Sequence, residues 1–262
     1  MFSILYGFLA ALTWGGGDFA GGLASRRVGA FVAVLLGEIA GLVVLIAAIP
    51  VVREPVPTRD VLLISGAAGA IGSFALTFFY RAMSEGQMSI AAPVSALLTA
   101  ALPIVVGIFI EGLPSGWQLA GFAFALGAVW LISQADGDTR PHIERLADLR
   151  LPFIAGLGFG MYFVLIHQAA RHAVLWPMIA GRIGGTLLIW IVVALRRDAV
   201  RVAPGAWKFI LINGCFDIMG NLFYILAGQA GRLDVAAVIS SLYPGATVFL
   251  AWLFLKERIS RA

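Results

Sequence analysis

The sequence has few charged residues. Of 262 residues, only 12% are Asp, Glu, Lys or Arg, whereas soluble domains carry about 25%. Hydrophobic residues make up 61% of the chain, and the mean hydropathy is +0.96. A chain of this composition cannot bury its apolar surface in a soluble core, so the soluble globular class is excluded.

Cysteine and the common catalytic motifs are also scarce. Cys215 is the only cysteine, which excludes a disulfide within the chain. The sequence has no G-x-x-x-x-G-K-[ST] motif, no H-E-x-x-H motif and no Cys/His cluster. We therefore predict no ATP-driven motor, no metal, no cofactor and no enzyme. The basic residues form no continuous basic face, so we also expect no nucleic-acid partner.

The sequence is rich in long apolar runs. A membrane-spanning helix needs about 20 mostly apolar residues, and helices satisfy their own backbone hydrogen bonds in lipid. The sequence therefore predicts an all-α integral membrane protein that crosses the lipid bilayer many times. The nine runs are 3–24, 30–52, 60–82, 88–110, 117–134, 151–170, 173–195, 207–228 and 234–255.

The chain repeats itself after 144 to 146 residues. GQMSIAAPVSAL (86–97) and GRLDVAAVISSL (231–242) share five residues in register. FLAALTWG (8–15) likewise matches FIAGLGFG (153–160). The repeated unit spans five helices, and an odd number of spans places the second copy upside down in the membrane. We predict two inverted five-helix repeats, an arrangement found in many secondary transporters.

The polar stretch ADGDTRPHIERLADLR separates the two halves. We expect a first repeat at 1–134, a polar linker at 135–150 and a second repeat at 151–262. The second half has no counterpart of the fifth helix, so we expect a ten-helix design of which nine helices are present. Either the chain is truncated, or a partner occupies the place of the tenth helix.

Polar side chains form a stripe on two repeat-related helices, the third and the eighth. They recur every three or four residues, which places them on one face of each helix. We expect both faces to line a substrate cavity between the repeats; the alternative is hydrogen bonding between helices. The stripe residues are Ser73, Thr77 and Tyr80 in one helix and Asp217, Asn221 and Tyr224 in the other.

The first helix adds Trp14 and Asp18 on one face. Because ionisable residues are costly in lipid, we interpret Asp18 as a carboxylate at the cavity. The alternative is an interfacial Asp held by Arg26, Arg27 or backbone amides. We expect Tyr162 to line an aromatic cavity wall; membrane aromatics also serve as packing residues or interface anchors.

Glu38 lies near the middle of the second helix, within a Gly-x-x-x-Gly pattern. At that depth it should be protonated or paired with a residue such as Arg182. It is either a proton-coupling or gating group or a structural hydrogen-bonding group. For Arg182 the alternative is that its head reaches the membrane interface. Asp18, Glu38 and Asp217 are the candidates for proton coupling.

The sequence resembles the EamA-like transporters of the drug/metabolite transporter superfamily. The resemblance rests on ALTWGGGDFAGGLASRR (11–27), the run ending in Glu111 and GQAGRLDVAAVISSLYPGATVFLAWLFLKERIS (228–260). The family pattern of a proline in the fourth helix followed by a Glu at its end matches Pro244 and Glu257. In the first half, Leu98 or Thr99 stands at the proline position.

The resemblance implies a transporter that exports or exchanges metabolites, amino acids or toxic small molecules. Glu111 and Glu257 are then structural motif residues that cap the next helix, and Pro244 bends its helix. We expect a multi-pass protein of the bacterial inner membrane with a small-molecule substrate. The alternatives are a non-transporting scaffold or regulatory subunit and a lipid-modifying membrane enzyme.

The charge distribution and the resemblance disagree on orientation. In the topology that the nine runs predict, 13 of the 18 Lys and Arg lie on the side of the membrane opposite the N-terminus, so the positive-inside rule places the N-terminus outside. The resemblance implies a cytoplasmic N-terminus.

Overall fold

The structure is a computed structural model that describes residues 2–84, 88–134 and 149–255. Within these ranges the regular elements are helices and no strand occurs. The helices are α1 (Phe2–Val28), α2 (Ala30–Val52), α3 (Arg59–Ser84), α4 (Met88–Glu111), α5 (Gly116–Gln134), α6 (Arg150–Ala169), α7 (Leu175–Arg196), α8 (Trp207–Gln229), α9 (Leu233–Ser240) and α10 (Tyr243–Leu255). Glu257 and all but the last two residues of the predicted linker lie outside the described residues.

Within the part of the chain that the structure describes, six stretches of helix are long and apolar enough to cross a membrane. Large apolar side chains such as Phe109, Phe124 and Leu195 are about four-fifths exposed, which suits contact with lipid. The predicted all-α, multi-pass membrane class is confirmed. The six stretches are Ala30–Val52, Arg59–Ala82, Val94–Glu111, Arg150–Ala169, Leu175–Arg196 and Pro204–Gln229.

Helices α2 and α7 end in the same way, 144 residues apart. Arg53 and Arg197 follow them, with φ of 51° and 54°, in the left-handed conformation that closes many helices. Each backbone N–H returns to the last helical turn, from Arg53 to the carbonyl of Ile49 and from Arg197 to that of Ala194. The two halves therefore share local geometry as well as sequence.

The last predicted helix, 234–255, is broken in the structure. Helix α9 ends at Ser240, and α10 begins at Tyr243. Pro244 has no N–H, so it cannot donate to the carbonyl of Ser240, and its ring would clash with that carbonyl in a continuous helix. The bend expected at Pro244 is a full interruption of the helix in the structure, and the missing N–H and the ring of Pro244 favour it.

The two halves pack on each other through equivalent contacts. Helix α1 lies against α8, α9 and α10, and its repeat counterpart α6 lies against α3 and α4. Helix α2 contacts α8, α7 contacts α3, and the counterparts α2 and α7 contact each other. The core is therefore an interface between the repeats, with α2 and α7 meeting at its centre.

Glycines let α3 and α7 approach closely. A Cβ added to Gly184 would lie 2.0 Å from the carbonyl oxygen of Gly66, and one added to Gly69 would lie 1.9 Å from that of Gly181. Small residues at such crossings are the usual way in which membrane helices pack. This close packing holds α7 against the first repeat, where the side chain of Arg182 on α7 reaches Glu38 on α2.

Candidate functional site

A cavity lies at the centre of the helix packing, between the two repeats. Helices α1, α3, α6 and α8 line this cavity, as the sequence predicted. Helices α2, α4, α7 and α10 add further lining residues. Its wall is mainly apolar and aromatic, with a few polar and charged groups. The lining residues are Trp14, Asp18, Glu38, Gly69, Gly72, Ser73, Leu76, Thr99, Phe159, Tyr162, Phe163, Ile166, Pro177, Met178, Gly181, Arg182, Asp217, Asn221 and Tyr243.

A buried guanidinium connects two carboxylates at this wall. Arg182 of α7 is 7% exposed, and its Nη1 lies 2.9 Å from Oε2 of Glu38 on α2. Its Nη2 donates to Oδ2 of Asp217 on α8. A buried charge is tolerated when it is paired and hydrogen-bonded, and here one cation serves two anions from three helices. The three side chains therefore form an ion-pair network across the repeat interface.

Hydrogen bonds extend the network on both sides. Ser73 of α3 donates to Oε1 of Glu38 at 2.6 Å. Asn221 donates its Nδ2 to Oδ2 of Asp217 at 3.0 Å, and the Tyr162 hydroxyl donates to Oδ1 of Asn221. Five helices are thus joined through polar side chains at one cavity, and the Glu38–Arg182 ion pair links the first repeat to the second.

The network is built from repeat-equivalent positions. Glu38 and Arg182 are 144 residues apart, and Ser73 and Asp217 have the same separation. The inner pair, Glu38 and Arg182, joins α2 to α7. Each outer residue binds the inner residue of its own repeat, Ser73 to Glu38 and Asp217 to Arg182. The inverted repeat therefore supplies the geometry, while the charges of the two copies differ.

Arg182 was expected either to pair with Glu38 or to reach the interface with its charged head. The structure shows the pair, so the interface interpretation is wrong. The small residues of α3 and α7 leave the guanidinium close to two carboxylates, and the free energy of burial is offset by those ion pairs.

Asp18 forms a second polar cluster at the cavity wall. It is 9% exposed and accepts a hydrogen bond from the Tyr80 hydroxyl at 3.3 Å. Asn213 donates to the same hydroxyl at 2.9 Å and to the carbonyl of Gly17 at 3.0 Å. Asp18 therefore faces the cavity, and its partner is a tyrosine.

The arginines proposed as alternative partners of Asp18 lie elsewhere. Arg26 is exposed, and Nη1 of Arg27 donates to the carbonyl of Gly205, 2.9 Å away. The interpretation that either arginine holds Asp18 is wrong, because α1 carries both past its buried section to the helix end.

Three predicted lining residues lie behind the cavity wall. Thr77 is buried and donates to the carbonyl of Ser73, one turn earlier on its own helix. Tyr80 is fully buried beneath Asp18, and Tyr224 donates to the carbonyl of Phe163 at 3.2 Å. The stripe predicted the correct helix faces, but the cavity touches only part of each face.

Aromatic rings form one side of the cavity. Trp14 stacks on Phe163 with ring centroids 5.2 Å apart and an interplanar angle of 15°. Phe163 in turn stacks on Tyr224 at 4.1 Å. A Cβ on Gly220 would lie 2.4 Å from the Trp14 ring, so α8 holds that ring against α6. The wall is therefore preformed by packing.

Glu111 closes a different contact between the repeats. Its two carboxylate oxygens accept from the backbone N–H of Leu233 at 3.1 and 3.0 Å, at the start of α9. We expected Glu111 to cap the following helix; it caps α9 of the other repeat instead. His167 lies 3.5 Å from the same carboxylate, and these residues line a second cavity with Arg171, Tyr224 and Gln229.

Arg232 completes this cap. Its Nη2 donates to Asp234 at 2.7 Å, and its Nη1 donates to the carbonyl of Glu111 at 3.1 Å. The hydrogen bond with Asp234 raises the pKa of Arg232 above its ordinary value, so the guanidinium stays charged. The cap therefore joins the end of α4 to the start of α9.

Some cavity residues carry no sequence signal for their role. Thr99 and Tyr243 face the cavity from α4 and α10, and Asn213 supports Asp18 from behind. The isolated Arg182 was the strongest available signal, because a lone Arg inside an apolar run requires a partner. The others are polar residues within apolar helices, and their spacing alone does not show that they face the cavity.

Comparison with known proteins supports the architecture. A solved structure titled "Crystal structure of protein" has a TM-score of 0.79 at 18% sequence identity, and the match covers 96% of this chain and 89% of that chain. This likeness shows the fold alone. No curated protein matches the chain in sequence. The EamA-like transporter family matches residues 1–134 and 149–262. The chain therefore belongs to the EamA-like transporter family, as its repeats and motifs predicted.

Proposed function

We propose that this protein is a secondary transporter that exports small organic metabolites, amino acids or drugs by alternating access. The family is one of membrane transporters, and the cavity between inverted repeats is where such proteins bind substrate. The absence of a nucleotide-binding motif from the sequence fits a secondary mechanism. We further propose that the protein lies in a bacterial inner membrane.

The observation that carries the proposal is the ion-pair network at the cavity. Glu38 lies in the first repeat, and Arg182 and Asp217 lie in the second. Rocking of one repeat against the other would change the distances within this network. Substrate that reaches Asp217 or Asn221 would compete for the same contacts. Binding and conformational change are thereby coupled through Arg182.

Proton coupling would use the same groups. Asp18, Glu38 and Asp217 all line the cavity, and a proton on Glu38 or Asp217 would weaken the attraction of that carboxylate for Arg182. A proton that enters from one side would thus loosen the network and favour rearrangement. In uncoupled exchange, the substrate itself would loosen the ion-pair network, without a proton.

The first test is ligand-induced thermal stabilisation of the purified protein across a metabolite and drug library. A ligand at 100 times its dissociation constant stabilises the folded state by about 2.7 kcal/mol. The comparison variant is Asp217→Asn, which leaves Arg182 paired with Glu38 and so should fold. Asp198→Asn, in an exposed pair with Arg196, is the matched control.

The proposal expects at least one ligand that stabilises the wild type and Asp198→Asn but stabilises Asp217→Asn less. If a well-folded wild type gives no hit, or if Asp217→Asn responds as strongly as wild type to every hit, the proposed binding site is contradicted. A scaffold or regulatory subunit is expected to respond alike with and without the Asp217 carboxylate.

A further inference from the structure

The charges at the central cavity are not balanced. Its wall carries three carboxylates, Asp18, Glu38 and Asp217, and a single guanidinium, Arg182. Arg182 is shared between Glu38 and Asp217. Among the described residues no basic side chain pairs with Asp18. With all four groups ionised, the wall carries two more negative than positive charges, and this excess favours a positively charged occupant.

Asp18 is the carboxylate that is free to take such an occupant. The hydrogen bond that it accepts from Tyr80 is long, at 3.3 Å, and its side chain faces the cavity. A buried carboxylate without a cation is energetically costly. An ammonium group beside Asp18 would supply the missing charge without disturbing Arg182.

The aromatic wall begins one helical turn from Asp18. Trp14 precedes it by four residues on the same face of α1, and both side chains line the cavity with Phe163. The face of an aromatic ring attracts cations, and tryptophan attracts them most strongly. A molecule with its cationic head at Asp18 can therefore lay an apolar or aromatic body along Trp14 and Phe163.

The same set of charged side chains disfavours binding of a substrate that carries a free carboxylate. The only guanidinium that lines the described cavity already binds two carboxylates. A substrate carboxylate would have to displace Asp217 or Glu38 from Arg182, and it would add a further negative charge to an acidic wall. Like charges brought together in a desolvated site weaken binding.

We propose that the central cavity binds organic amines in their ammonium form, with the charged nitrogen at Asp18 and the hydrophobic body against Trp14 and Phe163. It discriminates against the amino acids and carboxylic acids of the same skeleton. This inference rests on the proposed transport function of the same cavity and narrows its substrate class.

The test uses one skeleton with three charge states. Phenethylamine is the cation, phenylalanine the zwitterion and 3-phenylpropionate the anion. Binding to the purified full chain is measured by isothermal titration calorimetry in lipid nanodiscs at pH 7. The proposal expects the amine to bind at least tenfold more tightly than either carboxylate compound. Equal or tighter binding of phenylalanine or phenylpropionate, or no measurable binding of the amine, overturns it.

Variants then locate the ammonium. Asp18→Asn should weaken amine binding at least tenfold, because loss of one partner of a desolvated charge pair is costly, and it should leave phenylpropionate unchanged or tighter. Asp60→Asn, exposed at the start of α3, is the charge-matched control. Unchanged amine affinity in a folded Asp18→Asn protein contradicts the assignment.

If Asp18→Asn does not fold, Trp14→Leu provides the second readout. It keeps an apolar side chain but removes the ring, and it should weaken the amine more than phenylpropionate. Equal weakening of both compounds would contradict a cation at this wall. Tight binding and transport of a carboxylate ligand that depends on Asp217 would overturn the amine assignment while the proposed transport function stands. Amine binding without any transport would contradict the proposed transport function and support the amine assignment.

Discussion

The two repeats keep the same backbone plan but differ in their cavity chemistry. Glu38 in the first repeat corresponds to Arg182 in the second, and Ser73 corresponds to Asp217. The shared parts are the helix ends and the glycines at helix crossings, which determine how closely the helices pack. Duplication therefore conserves the frame, and substitution at equivalent positions creates a charged, asymmetric site within it.

The fourth helices of the repeats show the same contrast in backbone form. Helix α4 runs unbroken through Thr99, whereas the chain breaks between α9 and α10 just before Pro244. Thr99 and Pro244 are 145 residues apart. One copy thus offers a hydroxyl to the cavity wall, and the other offers the start of a helix that carries Tyr243.

Removal of Arg182 should have the largest effect on this comparison. In Arg182→Gln, Glu38 and Asp217 remain buried without a cation, and loss of one partner of a buried pair costs about 3–5 kcal/mol. The free energy of unfolding, measured by reversible denaturation in micelles, should fall by this amount. Arg196→Gln, in a half-exposed pair with Asp198, should change it by less than about 1 kcal/mol. Equal effects of the two substitutions would contradict the network.

The second largest effect is expected when proline is introduced at position 99 of the first repeat, the equivalent of Pro244 in the second. Thr99→Pro should destabilise the protein by about 3 kcal/mol, because α4 is continuous and proline breaks a backbone hydrogen bond and clashes with the preceding turn. Pro244→Ala should change the free energy of unfolding by less than about 1 kcal/mol, because the chain is already broken there. Both values come from the same denaturation experiment. A well-tolerated Thr99→Pro would show that α4 is not required to be continuous.

Addition of a methyl group at the α3–α7 crossing should cause the third largest loss of stability. In Gly184→Ala the new Cβ would lie 2.0 Å from the carbonyl oxygen of Gly66, and overpacking of this kind costs about 1–3 kcal/mol. Gly121→Ala is the control, because no other atom lies within 4 Å of its added Cβ; it should be neutral or slightly stabilising. Thermal unfolding of the two variants gives the comparison, and equal melting temperatures would contradict the close approach.

Loss of the Glu111 cap should have the smallest effect on stability. Glu111→Ala removes the acceptor for the Leu233 N–H, which costs about 1 kcal/mol. Hydrogen exchange should rise at the first turn of α9. Glu54 accepts from the N–H groups of Val174, Leu175 and Trp176 at the start of α7, so Glu54→Ala should increase exchange there instead. An increase at the same helix in both variants would contradict the assignment of the caps.

Helices and repeats could be predicted because each signal is local. Apolar runs determine the spans, and the offset of 144 to 146 residues reveals the duplication without any tertiary contact. The sequence predicted a bend at Pro244, whereas the structure has a break there. A proline can either bend or interrupt a helix, and only packing decides between the two.

The site was predicted only in part because it depends on the relative placement of helices. Periodicity predicted that Asp217 and Asn221 share a face. It could not show that Thr77 and Tyr80 lie behind the cavity wall, since depth and tilt follow from the neighbouring helices. The partner of Asp18 was missed for the same reason: Tyr80 is 62 residues away and reaches it only through packing of α1 on α3.

The most direct test of the central claim is transport by the purified chain in sealed liposomes. Uptake of a ligand identified by thermal stabilisation is measured for wild type, Asp217→Asn and Asp198→Asn at matched protein content. The account predicts uptake by wild type and Asp198→Asn, and at least a tenfold lower rate for a folded Asp217→Asn. Equal uptake by all three proteins would contradict a transport path through the central ion-pair network.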